Sequence, residues 1–396
     1  VKDIVIAGAG IGGLTAALAL RQQDFNVRVI EQAEYLSEIG AGLQLSPNAM
    51  HVMQALGISQ PLCAVAFRPK AAQMRHYQSA KLYFSVPLAE ACISRYGAQY
   101  VHIHRADLQR VLWQACQQAG VSFHFSESVI GYHHADSGVH IHLASGQSWQ
   151  ADCLIGADGI KSKVHSAMLG EQQARFTGQV AWRGTVPSQC LPTGLVSENA
   201  NLWVGPGRHF VSYYVRSGEA VNFVAVEERS DWQTESWSQL GDVQELRRAF
   251  AGWHPAVSDI LAATQQCYLW ALHDRAPLSR WTDGHVALLG DACHPMLPFL
   301  AQGAAMAMED AYVLAAMLKQ FTDIKQALLQ YQQRRLPRTS TIQTQALKNA
   351  ALYHMQNPLQ RTKLDILAGL SACGLSDQIA VRKLDYIYNY NVVDRS

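Results

Sequence analysis

The sequence is short of charge. Only 16% of its 396 residues are Asp, Glu, Lys or Arg, against a usual share of about 25%. The two signs also nearly cancel, 32 Lys and Arg against 31 Asp and Glu, for a formal charge of +1. Without a basic excess there is no field to hold a phosphate backbone, so nucleic acid is excluded as a partner. With 49% hydrophobic residues, disorder is excluded as well. Also lacking is any C-x-x-C pair, since Cys63, Cys92, Cys116, Cys153, Cys190, Cys267, Cys293 and Cys373 are scattered. Neither a zinc knuckle nor a dithiol centre is supported, no metal is expected, and reduced thiols point to the cytoplasm. No apolar run approaches the ~18 residues of a membrane helix. The apolar N-terminal segment, interrupted by Asp3 and glycines, does not read as a signal peptide. The missing charge itself has two readings: an enlarged interior, or the face of a homodimer.

What is present begins at Ile4-Val5-Ile6-Ala7, an apolar run of the buried parallel-strand type. Gly8-Ala9-Gly10-Ile11-Gly12-Gly13 follows and fits G-x-G-x-x-G, ahead of a helical pattern over 14–23 and a second strand, Asn26 to Ile30, ending at Glu31. This is a complete βαβ unit for a dinucleotide. Gly8 permits the tight turn, Gly10 lets backbone approach a pyrophosphate, and Gly13 lets helix and strand pack closely. The helix N-terminus offers amide N–H groups to the phosphates, and Glu31 can accept from the ribose hydroxyls. The unit alone leaves FAD and NAD both open.

Residues 39–48 read as a glycine-rich loop entering a helix, with Ser46 as N-cap and Pro47 in the first turn. A helix is expected from His104 to Gln118, and strands at 121–125 and 139–143. His140 and His142 share one strand face, read as solvent-facing rather than as a metal pair. Between about Thr185 and Gln266 short alternating runs appear, separated by Gly205-Pro206-Gly207 and Arg216 to Glu219, which predicts an antiparallel meander inserted in the first domain. An apolar strand, Val286 to Leu289, then ends in Gly290-Asp291, ahead of a long helix over 302–321. Asp291 there is suited to gripping hydroxyls, or to capping a helix. The tail to Ser396 is helical in pattern, without a chemical motif.

Two more segments make the pattern specific. Ala151 to Ser162, with Ala157-Asp158-Gly159, resembles the Asp-Gly motif of group A flavoprotein aromatic monooxygenases. Gly290-Asp291-Ala292-Cys293-His294-Pro295 and Ala301 to Ala311 resemble that family's Gly-Asp motif and flavin-facing helix. Val180 to Gly184 and Tyr100 to Arg105 are similar to its salicylate, 3-hydroxybenzoate and 6-hydroxynicotinate hydroxylase branch. The resemblance implies an α/β fold: a Rossmann-like FAD-binding domain (1–75, 100–180 and 270–345), an inserted antiparallel-sheet substrate domain (76–99 and 181–269) and a helical C-terminal region (346–396). It implies FAD as cofactor and NADH or NADPH as a transient co-substrate. It also implies O2-dependent hydroxylation of a phenolic or other small aromatic substrate through a C4a-hydroperoxyflavin.

Carried onto this chain, the resemblance places Gly8, Gly10, Gly13, Glu31, Gln44, Arg105, Asp158, Asp291, Gln302, Gly303 and Ala304 at the FAD. His209 and Tyr213, sharing a strand face with Val211, are the candidate catalytic pair, and Arg183, Pro298 and Phe299 the candidate substrate pocket. Arg208 is a second candidate partner for a substrate carboxylate. Gln44 and Phe299 stand where the hydroxynicotinate branch has pocket histidines, and Ala301 where the family commonly has glycine. The two lost histidines point to a benzenoid or larger hydrophobic phenol. The same cofactor fold also suits a flavin oxidase or dehydrogenase, or a non-catalytic flavin-binding interaction protein.

Overall fold

Five short apolar strands run parallel in the order Ser122–His124, Asn26–Ile30, Asp3–Ala7, Cys153–Gly156 and Val286–Leu288, with Thr282–Asp283 added antiparallel at one edge. Their near-continuous Val, Ile and Leu content follows from burial on both faces. The computed structural model describes residues 2–36, 41–171, 174–231, 239–354, 362, 366 and 375–395. Helices Ile11–Arg21 and Gly303–Gln320 pack against each other over this sheet. The first helix starts three residues earlier than its apolar periodicity predicts, because Gly10 is its N-cap and Gly12 and Gly13 lie inside its first turn.

The second layer is an eight-stranded sheet. Its order is Leu240–Gly241, Cys267–Asp274, Arg175–Pro187, Ala220–Glu228, Arg208–Val215, Ala200–Gly205, Ala71–His76 and Leu82–Pro87. All its pairings are antiparallel except that of Ala71–His76 with Ala200–Gly205. Both expected hairpin turns are present, joining Ala200–Gly205 to Arg208–Val215 and that strand to Ala220–Glu228. The expected boundaries at 75/76, 180/181 and 269/270 fall inside strands of this sheet. Changes of local texture do not register pairing between segments more than a hundred residues apart.

One face of the sheet packs on helices Val243–Ala249 and Pro255–Ala263. On the other face, Ala181, Val226 and Trp270 meet Leu297, Phe299 and the end of the long helix Ile324–Tyr353. Among the described residues no helix is long and apolar enough to cross a membrane. His140 and His142 lie half-buried on a small three-stranded sheet, where their rings stack on His133 from the neighbouring strand.

Residues 41–48 differ from the expected loop, and Ile39 and Gly40 lie outside the described residues. Gly42–Leu45 is a strand paired antiparallel with Val101–His104. Ser46 precedes the helix Pro47–Ala55 as expected, but its hydroxyl makes no cap bond. It donates instead to Asn48 Oδ1 (2.6 Å) and accepts from Gln302 Nε2 (2.9 Å).

Candidate functional site: a cavity between the two sheets

The parallel sheet collects four expected residues at the carboxyl ends of adjacent strands, where open α/β sheets bind ligands. Gly8 follows Ala7, Glu31 follows Ile30, Asp158 stands two residues past Gly156, and Asp291 three past Leu288. Gly8 has φ 101°, and a Cβ there would lie 2.5 Å from the Ala157 carbonyl oxygen. A Cβ on Gly13 would lie 2.0 Å from the Gly8 carbonyl oxygen. Glu31 braces the loop, accepting from Ala9 N (2.8 Å) and Ala33 N (2.9 Å). Asp158 faces inward, accepting from Ser162 Oγ (2.5 Å), Lys163 N (2.8 Å) and Val164 N (3.3 Å) at the start of helix Lys163–Leu169. Burial pushes its carboxyl up despite those bonds. Asp291 caps no helix; it is exposed, in a 3-10 turn, on the wall of a cavity.

That cavity holds about 1060 Å³, the upper end of the usual range for ligand sites. Gly10, Gln44, Arg105 and Asp291 line it, with Gln302, Gly303 and Ala304. Arg183, His209, Tyr213, Pro298 and Phe299 line it as well. Gly8, Gly13, Glu31 and Asp158 do not; they shape the loops behind its wall. The fit of a flavin dinucleotide can be tested on the backbone. Neither Gly10, preceding helix Ile11–Arg21, nor Gln302, preceding helix Gly303–Gln320, makes a side-chain cap bond. Two helix N-termini thus open on one cavity, and such ends attract anions. A Cβ on Gly10 would meet nothing within 4 Å, so the space in front of it is free for a pyrophosphate. The residues fit FAD. Gly10→Val is therefore expected to leave the fold intact and to abolish flavin retention, read as unchanged circular dichroism on a colourless protein.

Sequence reading missed what holds the flavin-facing helix in place. Glu309, Asp310 and Arg335 are all fully buried. Arg335 donates to Glu309 Oε2 (2.6 Å) and Asp310 Oδ1 (2.7 Å), and Arg338 also donates to Glu309 Oε2 (2.7 Å). Asp310 accepts from Gly290 N (3.3 Å) and pairs with His294, which ties it to the Gly290-Asp291 turn. Asn48 bridges Glu309 Oε1 (2.7 Å) and Gln302 Oε1 (3.1 Å). Cys293, His294 and Asp310 lie close enough to share a metal ion. However, burial pushes the Cys293 thiol well up, and Asp310 is already taken by Arg335.

The aromatic end of the cavity is built on Arg208–Val215. His209 is 3% exposed, packs edge-on against Phe299 and Tyr353, and joins His354 Nε2 through Nδ1 at 2.8 Å. Burial, then the neighbouring His354, pulls its pKa well below the ordinary histidine value. Tyr213 is buried with its ring 4.4 Å from that of His102, and burial pushes its hydroxyl up. Burial takes His102 itself down to about 3. Arg183 is buried over the Trp270 ring (4.5 Å), and its pKa is pulled down to about 10 by burial and then by the charge of Arg105. Arg208, by contrast, binds Glu227 (3.4 Å) and does not line the cavity. Gln44 is oriented by the Tyr100 hydroxyl, which donates to its Oε1 (2.7 Å). Pro298 and Phe299 lie on a 3-10 turn with Phe299 buried. Tyr353 and Lys348 reach the same cavity from the C-terminal region, which showed no chemical motif.

A family model described as an FAD binding domain matches residues 2–346. The 3-hydroxybenzoate 6-hydroxylase of Polaromonas naphthalenivorans is 35% identical over 392 residues, 98% of this chain and 96% of that protein. The 6-hydroxynicotinate 3-monooxygenase of Bordetella bronchiseptica is 35% identical over 359 residues, 90% of this chain and 93% of that one. Among solved structures, Klebsiella pneumoniae HpxO complexed with FAD and uric acid has a TM-score of 0.85 at 29% identity, covering 95% of each chain. The motifs at the strand ends, the cavity they open on and these likenesses agree: the chain belongs to the FAD-binding family of aromatic monooxygenases and is an FAD-dependent hydroxylase that consumes NAD(P)H.

Proposed function

We propose that the enzyme hydroxylates a benzenoid phenol bearing a carboxylate, the hydroxybenzoate class. His209 is the base on the ring hydroxyl, Tyr213 its neighbour on the same wall, and Arg183 the partner of the carboxylate. The observation that carries this reading is His209: its Nδ1 is engaged by His354, which leaves Nε2 to the cavity it lines. Gln44 and Phe299 make that cavity less polar than a hydroxynicotinate site with two further histidines. Gly10 and Arg105 would hold the pyrophosphate of FAD, Asp291 the ribityl chain and the Gly303 helix the pyrimidine, while Glu31 braces the glycine loop through Ala9 N. Once bound there and reduced by NAD(P)H, FAD would activate O2, one atom of which goes to the ring and the other to water. The protein orients the ring, excludes water and takes up the hydroxyl proton, making the ring electron-rich. The described cysteines are free thiols, which suits a reducing compartment and supports the cytoplasm.

The test is to follow NADH and NADPH oxidation by the FAD-loaded enzyme against a panel of hydroxybenzoates and to identify the product. An oxidation rate that no phenol changes, with no hydroxylated product, would sink the reading. Arg183→Leu adds a second check. A hydrogen bond to a charged group contributes about 1.5–3 kcal/mol, so KM for a carboxylated phenol should rise roughly tenfold or more. KM for the same phenol without its carboxylate should hold.

A further inference from the structure

Gln179, His209 and Glu228 share one face of the large sheet. Gln179 pairs with Glu228 across neighbouring strands, and His209 pairs with Val226, two residues before Glu228. Onto this face the long helix delivers its C-cap residue, His354, whose own carbonyl accepts from Gly207 N at 2.8 Å. His354 bridges the other two: Nε2 meets His209 Nδ1 at 2.8 Å, and Nδ1 meets Glu228 Oε1 at 2.7 Å. The three groups form a file from the cavity outward, with the His354 side chain fully buried and that of Glu228 35% exposed.

The contacts assign the protons. Glu228 accepts at the shorter of the two contacts to Nδ1 (2.7 Å, against 3.2 Å from the Gln179 amide), so His354 carries its proton on Nδ1 and presents a bare Nε2. His209 must then donate from Nδ1, and its Nε2 is the bare nitrogen facing the cavity. We propose that His209, His354 and Glu228 form a relay that carries the substrate's hydroxyl proton out of the pocket to solvent and returns it when product leaves. This rests on the reading of His209 as the base. The O–H bond breaks as a proton joins His209 Nε2, the Nδ1 proton of His209 passes to His354 Nε2, and the Nδ1 proton of His354 passes to Glu228 Oε1 and on to water. No group changes oxidation state, and the reverse shift restores both tautomers.

The surroundings suit a conduit rather than a store. Burial lowers the pKa of His354, opposed only in part by its bond to Glu228, so neither imidazole holds a second proton. The other titratable neighbours are committed elsewhere. Tyr353, packed on His209, donates its hydroxyl to the Phe299 carbonyl (3.1 Å). Glu227 accepts from Trp182 Nε1 (2.9 Å) and pairs with Arg208 and Arg229. The Gln179 amide, 3.2 Å from His354 Nδ1, does not titrate. His354 and Glu228 are positioning residues that act through His209.

Two phenols separate proton transport from architecture: 3-hydroxybenzoate, neutral at its hydroxyl at the assay pH, and 3-hydroxy-4-nitrobenzoate, already ionised. In the FAD-loaded enzyme, Glu228→Gln and His354→Asn should each lower kcat for the first about tenfold or more. KM for the first, and kcat for the second, should stay within about twofold. Glu228→Asp should recover most of the loss, and retained flavin absorbance and Tm report the fold. Equal losses with both phenols, or none with either, would overturn the relay. Loss with His209→Asn but not with the other two variants overturns the relay alone. An enzyme in which His209→Asn turns over 3-hydroxybenzoate as well as the wild type overturns the reading of His209, and the relay with it.

Discussion

Replacing His209 with asparagine should cut hydroxylation turnover by about 10²–10⁴-fold, the usual contribution of a positioned general base. Binding of FAD should be little changed, because the flavin-facing helix and the Gly290 turn are held by Asn48, Asp310 and Arg335, none of which bonds His209. The pH profile gives a second signature. Burial keeps the His209 pKa well below the ordinary histidine value, so its base form persists as pH falls through 6.5. No acid limb from this residue should appear in kcat/KM between about pH 6 and 8. Steady-state turnover of a hydroxybenzoate across that range checks both statements. A wild-type profile with a half-point near 6.5 would assign the base to a solvated group instead.

Arg335→Met should be the most damaging change away from the pocket. Burial tends to raise the Glu309 carboxyl, but the charges of Arg335 and Arg338 outweigh it. On Asp310 burial is likewise outweighed, by His294 and Arg335. Both carboxyls therefore sit below the ordinary range, so their contribution to stability is present at neutral pH and fades as pH falls through their folded values. Removing Arg335 leaves Glu309 with Arg338 and Asp310 with His294 as their remaining cationic partners, and such under-compensated buried charge costs about 3–5 kcal/mol, or roughly a 5 °C fall in Tm for a chain of this size. The pH sign then reverses. Without its cation the pair is easier to bury protonated, so the Tm gap between variant and wild type should narrow on acidification. Flavin affinity should fall as well, since Asp310 also holds the amide of Gly290. Melting curves of the holoenzyme at neutral and acid pH test this, and a gap that widens in acid would refute it.

The contrast between these residues shows what the sequence makes legible. Gly8, Glu31, Asp158 and Asp291 each stand within three residues of a parallel strand's end. Local pattern therefore places them, and the sheet does the rest by laying those strands side by side. Ala301 is similar. It stands where the family commonly has glycine, and its φ is 52°, a left-handed conformation costing an L-residue roughly 1–2 kcal/mol. Strand Gly42–Leu45 was hidden because its identity depends on pairing with Val101–His104. Glu228 and His354 were hidden more deeply. One is an acid at the end of an alternating run, the other a histidine after a helical stretch, and 126 residues separate them. Only tertiary packing turns them into neighbours. The buried Arg335 likewise sits in a helical pattern that offers no cue to which arginine turns inward.

The parallel pairing of Ala71–His76 with Ala200–Gly205 governs when the chain can fold during synthesis. The early ribbon of Ala71–His76 and Leu82–Pro87 leaves the ribosome with one edge open, and its partner follows only after more than a hundred further residues. The nucleotide sheet waits longer still, for Val286–Leu288 to flank Cys153–Gly156. Non-local pairing of this kind is slow and leaves unpaired edges exposed in the interval. The large sheet therefore cannot close before Asp274 is made, nor the nucleotide sheet before Leu288: a fragment ending before Cys267 leaves both layers incomplete, and one ending between Asp274 and Val286 still lacks a central-sheet strand.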